Sequence, residues 1–286
     1  MMDYREHRYQ SACGQLELFA RDYPGNGPSL LLMHGLTRNS GDFEPLAQHL
    51  AGNYRLIVPD QRGRGLSQDD PVPANYRPDV YSKDMFALLE SLGIERPGLI
   101  GTSMGGLMAM VMNAMKPGYF PAIVFNDIGP VLDPAGLARI GGYVGGGEPF
   151  ADWDAAAEAC ASINGDAFPG YAEADWQAWA RRTCRELPDG RVAFAYDPAI
   201  ADGFADIGDK PQPDIWPLWE ALSDTPVLVL RGALTDLLAM ETVREMERRH
   251  AGPFIHVDVP DRGHAPMLDE PVAVSAITEF LEEHVN

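Results

Sequence analysis

Ser103 lies in a motif that could turn a serine hydroxyl into a nucleophile. The segment 101–105 reads Gly-Thr-Ser-Met-Gly, which is the spacing G-x-S-x-G, and Gly106 follows it. A sharp strand-to-helix turn of this kind lifts the hydroxyl above a sheet and packs so tightly that its flanking residues must be small. An apolar strand pattern precedes the motif at 98–101 and an apolar helix pattern follows at 105–115. This context predicts a nucleophilic Ser103; the alternative is an ordinary glycine-rich turn.

A serine nucleophile needs a base, and among the seven histidines His264 has the most suitable position. It lies in the loop 261–267, directly after the last predicted strand at 254–257. Loops at the carboxyl ends of parallel strands are where sites form in α/β sheets. His256 falls within that strand instead and is expected to be a packed residue. The sequence therefore predicts His264 as the general base.

Two aspartates compete for the role of the acid that orients this histidine. Asp236 follows the predicted strand 227–230, and Asp127 follows the predicted strand 122–125. We expect Asp236, because it follows the strand before the histidine strand and the order serine, acid, histidine accompanies a G-x-S-x-G elbow. Asp127 is the rival, and its alternative role is that of a turn residue.

Acyl transfer passes through a tetrahedral oxyanion that needs fixed hydrogen-bond donors. One predicted donor is the backbone N–H of Met104, directly after the nucleophile. The other is the backbone N–H of Leu36, in the loop that follows the predicted strand 29–33. His34-Gly35 precedes Leu36, and it could also be a simple turn at the end of that strand.

Strand and helix patterns alternate along most of the chain, which predicts a parallel sheet with helices on both faces. The alternation stops between about 128 and 221, where helices are expected at 134–143, 150–162 and 172–185. A helical block between two strands of one sheet indicates an insertion. We therefore predict a core formed by residues 1–128 and 222–286, and a helical cap at 129–221.

Composition restricts the partners. The chain has 286 residues and a formal net charge of −20, and such a surface repels nucleic acid and anionic lipid. It has no apolar run of membrane-spanning length and no apolar signal segment. Three cysteines in an odd set, without paired spacing, argue against a disulfide framework or a zinc site. We expect a cytoplasmic protein, monomeric or homo-oligomeric, with no metal, no cofactor, no nucleic acid and no membrane partner.

The ordered motifs together resemble the α/β-hydrolase superfamily. They are the His-Gly pair at 34–35, D-x-R-G-x-G-x-S at 60–67, the elbow at 101–106, RGALTD at 231–236 and RGHAPMLDEP at 262–271. The resemblance implies an α/β-hydrolase fold with an eight-stranded, mostly parallel sheet and a cap over the serine. It is similar to the capped bacterial branch that includes carboxylesterases, lactonases and meta-cleavage C–C hydrolases.

Within that branch the expected function is a serine hydrolase that cleaves a carboxylic ester of a small molecule through an acyl-enzyme. Ser103 argues against the activities of similar enzymes that use an aspartate nucleophile. Ala265, where meta-cleavage hydrolases usually carry tryptophan, argues against C–C hydrolysis. C–C hydrolysis and lactone hydrolysis on the same triad remain alternatives. A slow or silent ligand receptor on the same scaffold is an alternative of another class.

The cap of such a fold is expected to select the substrate. Candidate pocket residues are His34, Tyr143, Trp153, Trp176, Trp179 and Phe204. The aromatic members could equally form the core of a small helical insertion.

Overall fold

The central feature of the fold is a sheet of eight strands. The computed structural model describes residues 3–145, 147–205 and 213–285, without the side chains of residues 204 and 205. The strands of the chain are β1 (Arg5–Gln10), β2 (Glu17–Tyr23), β3 (Ser29–Met33), β4 (Arg55–Asp60), β5 (Gly98–Thr102), β6 (Ile123–Asn126), β7 (Cys184–Glu186), β8 (Val192–Phe194), β9 (Val227–Gly232) and β10 (Phe254–Val259). The sheet has the order β1-β2-β4-β3-β5-β6-β9-β10. Within this sheet the pairs β1–β2 and β2–β4 are antiparallel and the other five are parallel, so the predicted mostly parallel sheet is confirmed.

Helices cover both faces of this sheet, as the alternating pattern predicts. The helices are α1 (Glu44–Leu50), α2 (Pro78–Ser91), α3 (Met104–Met115), α4 (Pro134–Gly141), α5 (Trp153–Asn164), α6 (Glu173–Thr183), α7 (Asp202–Ala205), α8 (Trp216–Glu220), α9 (Met240–Arg249) and α10 (Pro271–His284). Residues of α2, α3, α8 and α9 share one hydrophobic cluster with the sheet. Residues of α1 and α10 share another with the opposite face.

The strand β3 shows why its sequence is apolar at nearly every position. Leu31 and Met33 belong to the first cluster, whereas Leu30 and Leu32 belong to the second. Successive side chains of a strand point to opposite faces, so a strand with helices on both sides needs apolar residues at both. β3 pairs in parallel with β5, with Met33 opposite Gly101, so the loop after β3 begins next to the carboxyl end of β5.

Between β6 and β9 lies an additional segment, residues 129–221, which we call the insert. Its described residues contain the helices α4 to α8 and also the antiparallel hairpin of β7 and β8. The sequence prediction of a helical cap did not include these two short strands, and the helix predicted at 172–185 is shorter than expected. Helix α6 ends at Thr183, and the chain reverses through the Pro-Asp-Gly turn at 188–190, where Gly190 has a φ of +85°.

The insert has a hydrophobic cluster of its own. Phe168 packs edge to face against Trp176 and Trp179, and the two tryptophans are tilted against each other. The helix residue Cys160 and Met267 of the core belong to the same cluster. Trp219 of α8 packs instead into the cluster of the sheet, against Phe125. The division of the chain at 129–221 into a core and a separate cap domain stays a prediction.

Within the described residues no helix is both long and apolar enough to span a bilayer. The same residues hold no group of three or more His, Cys, Asp or Glu side chains arranged to bind a metal ion.

Candidate active site

Ser103 occupies the sharp turn between β5 and α3. Its backbone has φ 52° and ψ −116°, a conformation that residues other than glycine rarely adopt. Glycines make this turn possible: a Cβ on Gly101 would stand 2.5 Å from the backbone of Gly105, and a Cβ on Gly105 would stand 2.0 Å from the Met33 carbonyl oxygen. Strand, turn and helix are therefore in direct backbone contact, and the Ser103 side chain is the group that the turn presents.

His264 lies within hydrogen-bonding distance of this serine. Its Nε2 is 2.8 Å from Ser103 Oγ, and its Nδ1 is 2.7 Å from Asp127 Oδ2. A carboxylate can only accept, so Nδ1 carries the proton and Nε2 is left to accept from the serine hydroxyl. The Asp127 side chain has no exposed surface, and that of His264 is 6 % exposed. This arrangement suits the removal of a proton from Ser103.

Asp127 is held by three donors at the end of β6. Besides His264, the Gly232 N–H donates to Oδ1 at 2.9 Å and the Thr235 hydroxyl donates to Oδ2 at 2.6 Å. Its own N–H donates to the carbonyl of Leu230 on the neighbouring strand. A buried carboxylate with this many partners is fixed in orientation.

The structure corrects the prediction that Asp236 would accept a hydrogen bond from His264. Asp236 accepts from Arg139 instead, with Nε to Oδ2 at 2.5 Å and Nη2 to Oδ1 at 2.8 Å. The loop after β9 directs Thr235 toward Asp127, and the next residue consequently faces α4 of the insert. The hydrogen bonds from Arg139 lower the pKa of Asp236. The acid beside the histidine is the rival, Asp127.

The two predicted oxyanion donors belong to backbone segments next to the serine. Met104 is the first residue of α3, where backbone N–H groups have no partner within the helix. The position that a Gly35 Cβ would occupy is 3.7 Å from Ser103 Cβ, which brings the loop carrying Leu36 next to the nucleophile. The buried Arg64 holds this loop, because its Nε donates to the Leu36 carbonyl at 2.9 Å.

His34 does not line the cavity that opens above Ser103, contrary to the sequence prediction. It is fully buried, its Nδ1 lies 2.7 Å from the Gly35 carbonyl oxygen, and its Nε2 accepts from the Gln61 N–H at 3.2 Å. Burial lowers the pKa of His34 to about 3, so it is neutral and donates through Nδ1. His34 thus positions the backbone of the loop instead of contacting a ligand.

A cavity opens above Ser103 and His264 and encloses about 860 Å³ of space, part of which is continuous with solvent. Its wall comprises Gly35, Leu36, Thr37, Arg38, Asp42, Phe43, Thr102, Ser103, Ile140, Tyr143, Ile163, Asn164, Trp179, Thr183, Phe194, Tyr196, His264, Ala265, Pro266, Met267 and Leu268. The insert supplies one side of this wall and the strand ends supply the other. The lining is mixed in polarity, as expected of a site for a small organic molecule.

The predicted pocket aromatics divide into two groups. Tyr143 and Trp179 line the cavity, whereas Trp153 and Trp176 do not. Trp176 belongs to the cluster of the insert, and Trp153 carries the guanidinium of Arg181 on its ring at 3.9 Å. The side chain of Phe204 lies outside the described residues.

Sequence reasoning did not identify Thr235, Arg64 or Arg38 as parts of this site. Thr235 lies within the motif RGALTD, and its hydroxyl could be recognised only once the loop geometry was known. Arg38 follows the His-Gly pair by three residues, and its place in the loop was a usable signal. A charged residue in a loop next to a predicted nucleophile is a candidate for ligand binding.

Comparison with known proteins identifies relatives over nearly the whole chain. The family model of the alpha/beta hydrolase fold matches residues 28–271. The 3-hydroxybutyrate-oligomer hydrolase of Cupriavidus necator is 34% identical over 90% of this chain and 89% of its own length. The 2-(acetamidomethylene)succinate hydrolase of Mesorhizobium japonicum is 26% identical over 94% of this chain and 93% of its own. A crystal structure of an alpha/beta hydrolase from Novosphingobium aromaticivorans superposes with a TM-score of 0.92 at 43% identity and covers 99% of both chains. The chain therefore belongs to the α/β-hydrolase family and is a hydrolytic enzyme.

Proposed function

We propose that this enzyme hydrolyses carboxylic esters of small molecules through an acyl-enzyme formed on Ser103. The observation that carries the proposal is the continuous line of hydrogen bonds from Ser103 through His264 to Asp127 at the floor of the cavity. A serine hydroxyl that donates to one imidazole nitrogen, while a buried carboxylate accepts from the other, is the arrangement that activates serine for acyl transfer.

The steps follow from these contacts. Ser103 Oγ attacks the ester carbonyl carbon while His264 Nε2 takes the hydroxyl proton, and Asp127 stabilises the imidazolium that results. The amides of Leu36 and Met104 donate to the oxyanion. The tetrahedral intermediate collapses when the bond to the alcohol oxygen breaks, and His264 returns its proton to that oxygen. Water then attacks the acyl-enzyme by the same route and releases the carboxylic acid.

The similarity to the 3-hydroxybutyrate-oligomer hydrolase suggests the substrate class. That relative shares 34% identity along almost the entire length of both chains. We propose short ester-linked oligomers of a hydroxy acid as substrates. The cavity supports this choice, because its wall combines apolar groups such as Phe194 and Leu268 with polar groups such as Thr37.

The first experiment measures the hydrolysis of p-nitrophenyl esters from acetate to decanoate, and of a 3-hydroxybutyrate dimer, by the wild-type enzyme and by Ser103→Ala. We expect turnover of the short esters that falls by at least about 10³-fold in the variant. Undiminished turnover by Ser103→Ala would contradict the serine mechanism. A folded wild-type enzyme that cleaves no ester would favour C–C hydrolysis or ligand binding without turnover.

A further inference from the structure

Arg38 is a cation in the wall of the cavity that the acyl-transfer mechanism does not use. Among the described lining residues it is the only lysine or arginine. It is placed close to the nucleophile: the point where a Gly35 Cβ would stand is 3.7 Å from Arg38 Cγ and equally 3.7 Å from Ser103 Cβ. The side chain therefore leaves the backbone beside the serine, on the loop that carries the predicted oxyanion donor.

The guanidinium of Arg38 is held in a fixed orientation. Its Nε and Nη2 both donate to Asp42 Oδ1, at 3.0 and 2.6 Å. Its central carbon lies 4.0 Å from the centre of the Trp179 ring, a cation–π contact. The side chain is 17 % exposed. An arginine clamped by a carboxylate and an aromatic face loses little conformational freedom when it binds a ligand.

One donor of this guanidinium remains available. Nη1 makes no hydrogen bond to any residue in the described part of the chain. It is also not buried, so it is accessible to a ligand or to solvent. Two polar side chains that the insert contributes to the wall are already engaged: Thr183 Oγ1 donates to the Trp179 carbonyl and Asn164 Nδ2 donates to that of Cys160. Arg38 is thus the group in the wall best suited to an anion.

We propose that Arg38 binds a free carboxylate of the substrate and makes the enzyme selective for acidic esters. The proposal rests on the proposed ester hydrolysis at Ser103 and specifies its substrate. In an ester-linked dimer of a 3-hydroxy acid, four bonds separate the scissile carbonyl carbon from the terminal carboxylate carbon, about 5 Å in an extended chain. A carbonyl at Ser103 would place such a carboxylate within reach of the side chain that begins beside the serine. Asp42 neutralises part of the positive charge, so the selectivity depends on a directed hydrogen bond.

The chain offers a matched control for this arginine. Arg181 also stacks on a tryptophan, Trp153, at 3.9 Å, but neither residue belongs to the cavity wall. Arg38→Met and Arg181→Met therefore remove the same charge and the same kind of stacking contact, inside and outside the site.

The experiment compares kcat/KM for the 3-hydroxybutyrate dimer with that for its methyl ester, in which the carboxylate is neutral. We expect the wild-type enzyme and Arg181→Met to prefer the acid, and Arg38→Met to lose about ten- to a hundredfold of that preference, the effect of a hydrogen bond to a charged group. Arg38→Lys should restore part of it. The proposal would be overturned if wild type and Arg38→Met preferred the acid equally, or if the wild type showed no preference. In either case, loss of ester turnover in Ser103→Ala would still support the serine mechanism.

A second measurement uses the wild-type enzyme alone and does not depend on the folding of a variant. The measurement determines the competitive inhibition constants of 3-hydroxybutyrate and of the neutral 3-hydroxybutyramide against the hydrolysis of p-nitrophenyl butyrate. At least tenfold tighter inhibition by the acid is expected, and equal inhibition constants would contradict an anion subsite. Failure of the proposed function is distinguishable from failure of the anion subsite, because the folded enzyme would then hydrolyse no ester at all.

Discussion

Asp127 and Asp236 follow neighbouring strands of the sheet, β6 and β9, but they have different surroundings. Asp127 is completely buried and accepts from an imidazole, a hydroxyl and a backbone amide. The Asp236 side chain is 35 % exposed and accepts from a single guanidinium. The two carboxylates lie at the same edge of the sheet. Their neighbours determine that Asp127 contacts the histidine and that Asp236 contacts the insert.

The loop after β9 serves both carboxylates. Its Gly232 amide and Thr235 hydroxyl fix Asp127, while Asp236 holds Arg139 of α4. Helix α4 in turn contributes Ile140 to the cavity wall. We infer that this loop supports the candidate catalytic residues on one side and the wall of the binding cavity on the other.

The largest expected effect separates the two aspartates. Asp127→Asn should lower kcat for p-nitrophenyl butyrate by about 10³- to 10⁴-fold, because an amide at this position favours the wrong tautomer of the histidine. Asp236→Asn is the matched control, and it should change kcat by less than about tenfold because it leaves the contacts of His264 intact. Steady-state kinetics of the two variants, with circular dichroism to verify folding, tests this. If Asp236→Asn produced the larger loss, the assignment of the acid to Asp127 would be wrong.

The fold was predictable because each of its signals is local. Apolar runs such as Ser29–Met33 and Val227–Gly232 must be buried on both faces, and glycines at 101 and 105 are required by backbone contacts between adjacent elements. The hairpin of Cys184–Glu186 and Val192–Phe194 was missed because its strands have three residues each, too few for an alternating pattern.

The candidate site was predictable only in part. Ser103 and His264 were identified from motif and loop position, and the structure brings their side chains together. The choice between Asp127 and Asp236 depends on the direction in which the loop after β9 turns. The order of the residues along the chain does not predict that direction. His34 was assigned to the pocket from its motif, although burial and two hydrogen bonds direct its ring into the protein.

A smaller effect is expected where α4 contacts the loop after β9. A Cβ on Gly136 would stand 2.6 Å from the Asp236 carbonyl oxygen, so Gly136→Ala must displace the helix. We expect the free energy of unfolding to fall by about 1–3 kcal/mol and KM for p-nitrophenyl butyrate to rise more than kcat falls, because α4 carries part of the cavity wall. Gly165→Ala, at a glycine with open space around it, is the control. Equal stability of both variants would contradict a tight contact between α4 and this loop.

The smallest expected effect is the contribution of the Asp236–Arg139 ion pair to stability. The pKa of Asp236 is lowered from its ordinary value of 3.8 by the hydrogen bonds from Arg139. A carboxyl whose pKa is lower in the folded protein stabilises the fold above the ordinary pKa, and this contribution is lost as the pH falls through the folded-state value. Because the side chains of both partners are about a third exposed, solvent screening limits the contribution to less than about 1 kcal/mol at pH 7.

Urea unfolding of wild type and Asp236→Asn tests this contribution between pH 3 and pH 7. The wild type should be the more stable protein at neutral pH, and the difference should shrink toward the acid end of the range, where the carboxyl becomes neutral like the amide. A difference that stayed constant with pH would mean that the amide disturbs packing at α4, and that the ion pair does not stabilise the contact. If the stability difference grew toward low pH, a lowered pKa for Asp236 would be contradicted. The distinction between Asp127, which orients the histidine, and Asp236, which binds Arg139 of the insert, would then lose its support.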